Sequence, residues 1–177
     1  PSRPTILVDG CEDPFWDSAC TSSCDSCSPQ NGFSAHNAGG CSDPRFGGLT
    51  CFQRFPLSGN KVMLTMNGRQ TQSAYVRWNF NSALVGGYKI EARIPNLPSS
   101  PPFGCPAWFP PSAAVYRLKD SQGTRDTKTI DQANTSGWVE LFDGDMTGVT
   151  SITLGNHTAQ SSATQCVHFL LDEVRAT

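Results

Sequence analysis

The residues of this 177-residue sequence with the clearest chemical potential are eight cysteines. Cys11, Cys20, Cys24, Cys27, Cys41 and Cys51 crowd the first part of the chain, and Cys105 and Cys166 stand far from them. Cys24-Asp-Ser-Cys27 is a CxxC, with Cys20 and Cys41 nearby, and that spacing raises zinc. A zinc ribbon, however, needs two close Cys or His pairs, and Cys41 and Cys51 are too widely spaced to form the second. An even cysteine count without that second pair favours disulfides, which form and persist in oxidising compartments. The chain is therefore expected to be extracellular or at the cell surface. Cys105 and Cys166 are expected to pair with each other, and the other connectivities stay open.

Hydrolytic or lyase chemistry needs an organised acid, base or nucleophile, and none stands out. There is no GxSxG, HExxH, P-loop, dinucleotide fingerprint or EF-hand loop. His36, His157 and His168 fall in unrelated contexts, and His168 lies in an apolar run where a packed histidine is the better reading. Asp143 and Asp145 flank Gly144, the composition of a solvated turn. Asp172 and Glu173 are neighbours in an expected strand, so they should point to opposite faces and cannot act as a pair. The chain is not expected to be an enzyme.

The elements that must position any site are strands. Tyr88, Ile90, Ala92 and Ile94 alternate with Lys89, Glu91 and Arg93, and Val76, Trp78 and Phe80 alternate in the same way. Gly86-Gly87 between those runs predicts a hairpin. Further strands are expected at 62–66, 113–119, 127–131, 138–142, 150–154 and 166–175. Asp120 to Gly123, Asn134 to Gly137, Asp143-Gly144 and Gly155-Asn156 supply the turns between them. The last of these strands is apolar on both faces near its middle and should be central. No segment keeps a helical period. The expectation is one all-β domain over residues 1–177, with main strands from 61 to 177. Residues 11–51 would be a cysteine-rich insertion that needs cross-links to order it.

Formal net charge is −2. There is no basic excess to hold phosphate, so nucleic acid is not an expected partner. No apolar run approaches the roughly 20 residues that span a bilayer, so membrane insertion is not expected either. The chain is expected to be monomeric.

The second part resembles the golvesin / xanthan-lyase carbohydrate-binding-like domain of bacteria. The resemblance is carried by SAYVRWNF (73–80), GGYKIEARIP (86–95), AVYRL (114–118), TIDQ (129–132), GWVEL (137–141), SITLG (151–155) and LDEVR (171–175), in that order. ILVD (6–9) is similar to the family's opening strand. The resemblance covers residues 61–177 and implies a jelly-roll-like antiparallel β-sandwich, found in extracellular proteins and often appended to secreted enzymes. The cysteine-rich stretch and the Pro/aromatic loop of residues 95–111 depart from the family's pattern.

Saccharide binding needs an exposed flat aromatic against the apolar face of a sugar, with polar groups reaching its hydroxyls. Trp108 is the first candidate because a proline-stiffened loop presents it. Phe109, Trp16 and Tyr116 are the further candidates. Trp78 is read as core from its alternation, and Trp138 is read as core because it shares a face with Phe142. Asp131-Gln132 is read as a structural hydrogen-bonding pair. A structural calcium ion is a secondary expectation, held by Asp9, Asp13 and Asp172 near the two chain ends. Asn134-Thr-Ser and Asn156-His-Thr match glycosylation acceptors, relevant only in a eukaryotic host.

The reading that follows is a non-catalytic extracellular module that binds a polysaccharide or cell-wall glycan. The alternative is a ligand-sensing or protein-interaction ectodomain of a bacterial surface receptor or signalling protein.

Overall fold

The computed structural model describes residues 5–8, 32–37, 52–56, 62–68, 74–96, 108–160 and 166–177. Among them there is no helix. The strands in chain order are β1 (Ile6–Val8), β2 (Phe33–Asn37), β3 (Phe52–Pro56), β4 (Val62–Asn67), β5 (Ala74–Asn79), β6 (Gly87–Ile94) and β7 (Trp108–Phe109). They continue as β8 (Ala114–Asp120), β9 (Gly123–Ile130), β10 (Gly137–Asp145), β11 (Val149–Gly155), β12 (Cys166–Leu171) and β13 (Val174–Ala176). Seven of the eight cysteines lie outside the described residues, as does the side chain of Cys166. The expected disulfides, the Cys105–Cys166 pair among them, therefore fall outside them too.

Strand pairing builds an antiparallel β-sandwich. One sheet runs β2-β5-β11-β8-β9. The second layer has two hydrogen-bonded sets, β1-β13-β6-β10 and β3-β4-β12-β7, joined where β12 passes into β13 across Asp172 and Glu173. All pairings are antiparallel except the short β7–β12 contact. β12 and β13 are each flanked on both sides, as the apolar closing run requires. Alternation decides the core. On β5, Ala74, Val76 and Trp78 point inward, and on β8 Ala114, Tyr116 and Leu118 do so. Against them pack Ile90, Ile94, Phe169, Leu171 and Val174 from the opposite layer.

Polar side chains stitch the layers. Trp78 donates its indole N–H to the Asp172 carbonyl at 2.8 Å, crossing from β5 to the β12–β13 break. Buried Gln132 donates through Nε2 to the Tyr116 hydroxyl at 2.9 Å and to the Leu170 carbonyl at 3.0 Å. It accepts the Leu170 amide at 2.9 Å, so one side chain serves both main-chain polar groups of a buried strand residue. Burial pushes the Tyr116 phenol above its usual range.

Four sequence expectations change. The Gly86-Gly87 hairpin does not form: β5 pairs with β2 and β11, whereas β6 pairs with β10 and β13 in the other layer. Residues 80–86 carry the chain from one layer to the other, and a short glycine-containing link looks the same in either role. Asp143, Gly144 and Asp145 continue β10 opposite Lys89, Tyr88 and Gly87, and the turn falls later, at Gly148, where φ is +87°. The closing run is two strands. At its break Asp172 and Glu173 both reach one guanidinium, at 3.6 Å each from Arg93, instead of diverging.

The fourth change is Trp138. The β10–β6 register shifts between Glu140 and Phe142, with Leu141 as the additional residue. The bulge lets Leu141 and Phe142 both turn inward and reverses the alternation before it, so Trp138 lies half-buried on the outer face. Two strands, β2 and β3, also form in the first sixty residues, where no periodicity marked them. β2 pairs with β5 from Phe33↔Trp78 to Asn37↔Ala74.

Candidate functional site

Both outer faces of the sandwich present an aromatic ring beside cations, and their electrostatics differ. On the face of β13, β6 and β10, the Arg175 guanidinium lies 4.1 Å from the Trp138 ring centroid, covering one side of the indole. Arg175 also donates to Glu91 at 2.7 Å, and Lys89 reaches the same carboxylate at 2.9 Å. With Arg93 holding Asp172 and Glu173, three cations meet three carboxylates. The Arg175 hydrogen bond outweighs the cost of burial and holds the Glu91 carboxyl below its ordinary range. A depressed folded-state value means this contribution to stability is full above the unfolded value near 4.5 and is lost as pH falls through the folded one. Denaturant unfolding should therefore show a destabilisation below about pH 4.5 that Glu91→Gln reduces; an unchanged acid limb would remove Glu91 from that role.

The face of β5, β11, β8 and β9 is not neutralised in this way. Tyr75 and Arg77 are outward positions of β5, because Val76 and Trp78 point inward. Arg117 and Lys119 are outward positions of β8. Thr153 of β11 is directly opposite Arg77 on one side and Arg117 on the other, and the arginine stems leave it 5% exposed. Lys119 Nζ donates to Thr124 Oγ1 at 2.6 Å. Tyr75 is opposite Gly155, where no side chain rises from the sheet. Together these residues enclose a shallow depression of about 250 Å³, with no carboxylate in its lining among the described residues.

Tyr75 is held in place from behind. Asn156, fully buried, accepts the Ala74 amide on Oδ1 at 3.0 Å and donates its own amide to the Ala74 carbonyl at 3.0 Å. This clamp fixes the start of β5 against the end of β11. It also places the Asn156 glycosylation acceptor in the interior, whereas Asn134 is exposed in the turn that Asp131 organises.

A larger depression of about 570 Å³ runs between β9 and β10, with Phe142 and Leu141 at its base. Its walls mix Arg125 and Lys128 with Asp126, Glu140, Asp143 and Asp145. Arg125 is already spent on the carbonyls of Asp145 and Thr147 at 2.8 and 3.0 Å. The Thr147 hydroxyl and amide hold the Asp145 carboxyl below its usual range. This groove offers neither an exposed ring nor a single sign of charge.

Of the binding residues expected from sequence, Tyr116 and Phe109 have described side chains, and neither lines the depression beside Tyr75. Tyr116 is 1% exposed and stacks on Trp78 with ring centroids 6.2 Å apart, so no ligand reaches its ring. The alternation of β8 turns it inward. Phe109 is partly buried and packs against the core. Trp108 enters β7 opposite Cys166, but its side chain lies outside the described residues, as does all of Trp16. Of the calcium candidates, Asp9 and Asp13 lie outside the described residues, and Asp172 is 7% exposed with its carboxylate on Arg93. Among the described residues no group of three Asp, Glu, His or Cys converges as a metal site would need. His168 is buried, 1% exposed in β12.

No family model and no curated protein matches the chain. Among solved structures, its fold is similar to part of a xanthan lyase from Paenibacillus, with a TM-score of 0.56 at 10% identity. That match covers 98% of this chain and 13% of the lyase, so the chain spans a small fraction of that protein's length. Weaker matches are the C-terminal CBM6 of LamC, a laminarinase from Zobellia galactanivorans, and the K2 adhesin domain of Lys-gingipain. Their TM-scores are 0.37 and 0.39 at 11% and 12% identity. They cover 82% of this chain in each case, and 98% and 90% of those chains. At these identities the likeness is one of fold, and it rests on the lyase.

The sequence reasoning missed Tyr75, Arg77, Arg117 and Lys119. A signal was there: the polar faces of two amphipathic strands, YVR and RLK, carry cations and a ring with no acidic residue. What was missing was the strand order that sets β5 and β8 on either side of β11.

Proposed function

We propose that the chain is a non-catalytic extracellular module that binds a polysaccharide or cell-wall glycan on the outer face of the β5-β11-β8-β9 sheet. The observation that carries this reading is the Tyr75 ring beside the bare backbone of Gly155, with Arg77, Arg117 and Lys119 around the same depression. A half-buried ring next to a glycine is a platform for a pyranose face, and the cations and threonine hydroxyls are hydrogen-bonding groups for its substituents. The fold likeness to part of a xanthan lyase supports a module of this type. The non-catalytic reading is supported by Glu91, Asp172 and Glu173, each engaged with a cation instead of poised as a general acid.

Affinity electrophoresis through gels containing polysaccharides tests the proposal. Retardation by at least one polymer is expected, and Tyr75→Ala should weaken it about fivefold or more, in line with the roughly 1 kcal/mol of an aromatic contact. Trp108→Ala, run alongside, measures whether that residue adds a second contact. Binding that survives Tyr75→Ala unchanged moves the site elsewhere, and cleavage of any retarding polymer by the chain alone rules out a purely binding role.

A further inference from the structure

The charge of the depression goes further than its shape, and the inference rests on the glycan reading above. Arg77 and Arg117 sit on strands β5 and β8, each paired directly with Thr153 on the strand between. Two strand spacings separate their main chains by roughly 10 Å, a gap that two arginine side chains can close around one small group. Lys119 stands one outward position along from Arg117. Among the described residues no carboxylate pairs with either guanidinium. Arg77 lies over the Tyr75 ring, at 5.7 Å from guanidinium carbon to centroid.

Arg77 Nε carries the second observation. It is buried from solvent and has no hydrogen-bond acceptor among the described residues. A buried N–H without a partner costs on the order of 1–3 kcal/mol, and more when the group is charged. Such groups are few in native proteins, and a bound anion beside the guanidinium is one arrangement that offsets the cost. The other face of the sandwich shows how this chain treats its cations when they are structural: Lys89, Arg93 and Arg175 are each matched to a carboxylate. The cationic face is thus a local exception on a chain of net charge −2, and its complement is an oxyanion.

We propose that the glycan is an acidic polysaccharide, with a carboxylate or sulfate substituent seated between Arg77 and Arg117 above Thr153 and the adjoining sugar ring against Tyr75. The guanidinium fork suits either oxyanion because it presents parallel N–H donors to two oxygens of one group. Lys119 adds a charge that steers the polymer without fixing its geometry.

The test compares alginate, for carboxylates, and dextran sulfate, for sulfates, with neutral hydroxyethylcellulose and pullulan. Retardation of the intact chain is measured in each gel at fixed ionic strength. At least one acidic polymer should bind at least about tenfold more tightly than both neutral ones, and which acid wins identifies the substituent. Arg77→Gln and Arg117→Gln should each lose about tenfold on that polymer. Lys128→Gln, the same charge change on exposed β9, should lose less than twofold. None of the three residues is buried, so matched thermal melts confirm folded variants. Neutral polymers binding as well as acidic ones, or the arginine variants binding as the parent does, would leave a glycan module standing and overturn its acidic specificity. Binding to none of the four overturns both. A single-stranded oligonucleotide held as tightly as the best acidic polymer, and as tightly by the arginine variants, reduces the face to general cation exchange and also overturns the proposal.

Discussion

Gln132→Ala is expected to lower stability by about 3–4 kcal/mol, because the two main-chain groups of Leu170 would be left buried without partners, at roughly 1–3 kcal/mol each. For a chain of this size that is a fall in Tm of roughly 6–16 °C. The effect exceeds that of an ordinary buried amide because Gln132 replaces a missing strand neighbour: its Nε2 and Oε1 pair with the carbonyl and amide of one residue as a backbone would. Its own amide is meanwhile held by the Pro111 carbonyl at 3.0 Å. Tyr116→Phe removes a single hydrogen bond to the same Nε2 and should cost only about 1 kcal/mol. Urea unfolding of the two variants decides the matter; equal losses would mean that the Leu170 pairing contributes nothing beyond the phenol contact.

That residue also shows what was legible in the sequence. Asp131-Gln132 was readable as a structural pair, since a polar pair closing a strand commonly orders a turn. Asp131 does that locally, accepting the Ala133 and Asn134 amides. Gln132 acts instead across the sandwich on a residue 38 positions away, which no local pattern encodes. The same division holds elsewhere. Alternation identified β5 and β6 and the burial of Trp78, because side-chain direction is a property of a single strand. Which strands become neighbours is set by non-local pairing, so the supposed hairpin at Gly86-Gly87 separated into two layers. Trp138 was misplaced by one bulge: a single additional residue at Leu141 reverses every assignment before it. The candidate site suffered most, since Tyr75, Arg117 and Gly155 adjoin only once β11 is inserted between β5 and β8. The sequence pointed instead to aromatics of the proline-rich loop, of which Phe109 packs against the core and the Trp108 side chain lies outside the described residues.

Trp78 is where the core and the proposed site meet, and Trp78→Ala should be the most damaging single change, at about 4–5 kcal/mol. The indole is 1% exposed, meets Phe33 edge-on at 5.6 Å and stacks on Tyr116. Its removal opens a large cavity and leaves the Asp172 carbonyl without its 2.8 Å donor at the bend between β12 and β13. Trp78→Phe keeps most of the ring and loses the donor, so about 2 kcal/mol is expected. Domains of this kind have only about 5–15 kcal/mol to lose, so the alanine variant should melt within reach of ambient temperature. The consequence for binding separates packing from recognition. Arg77 adjoins Trp78 in the same strand and Tyr75 lies two residues before Arg77, both on the opposite face, so a collapse of the inner face must disturb the outer one. Trp78→Ala should therefore lose polysaccharide retention in step with its near-UV circular dichroism. Tyr75→Ala should lose retention with its melt intact. If the two variants instead lost stability and binding in the same proportion, the outer face would be a passive surface of the fold.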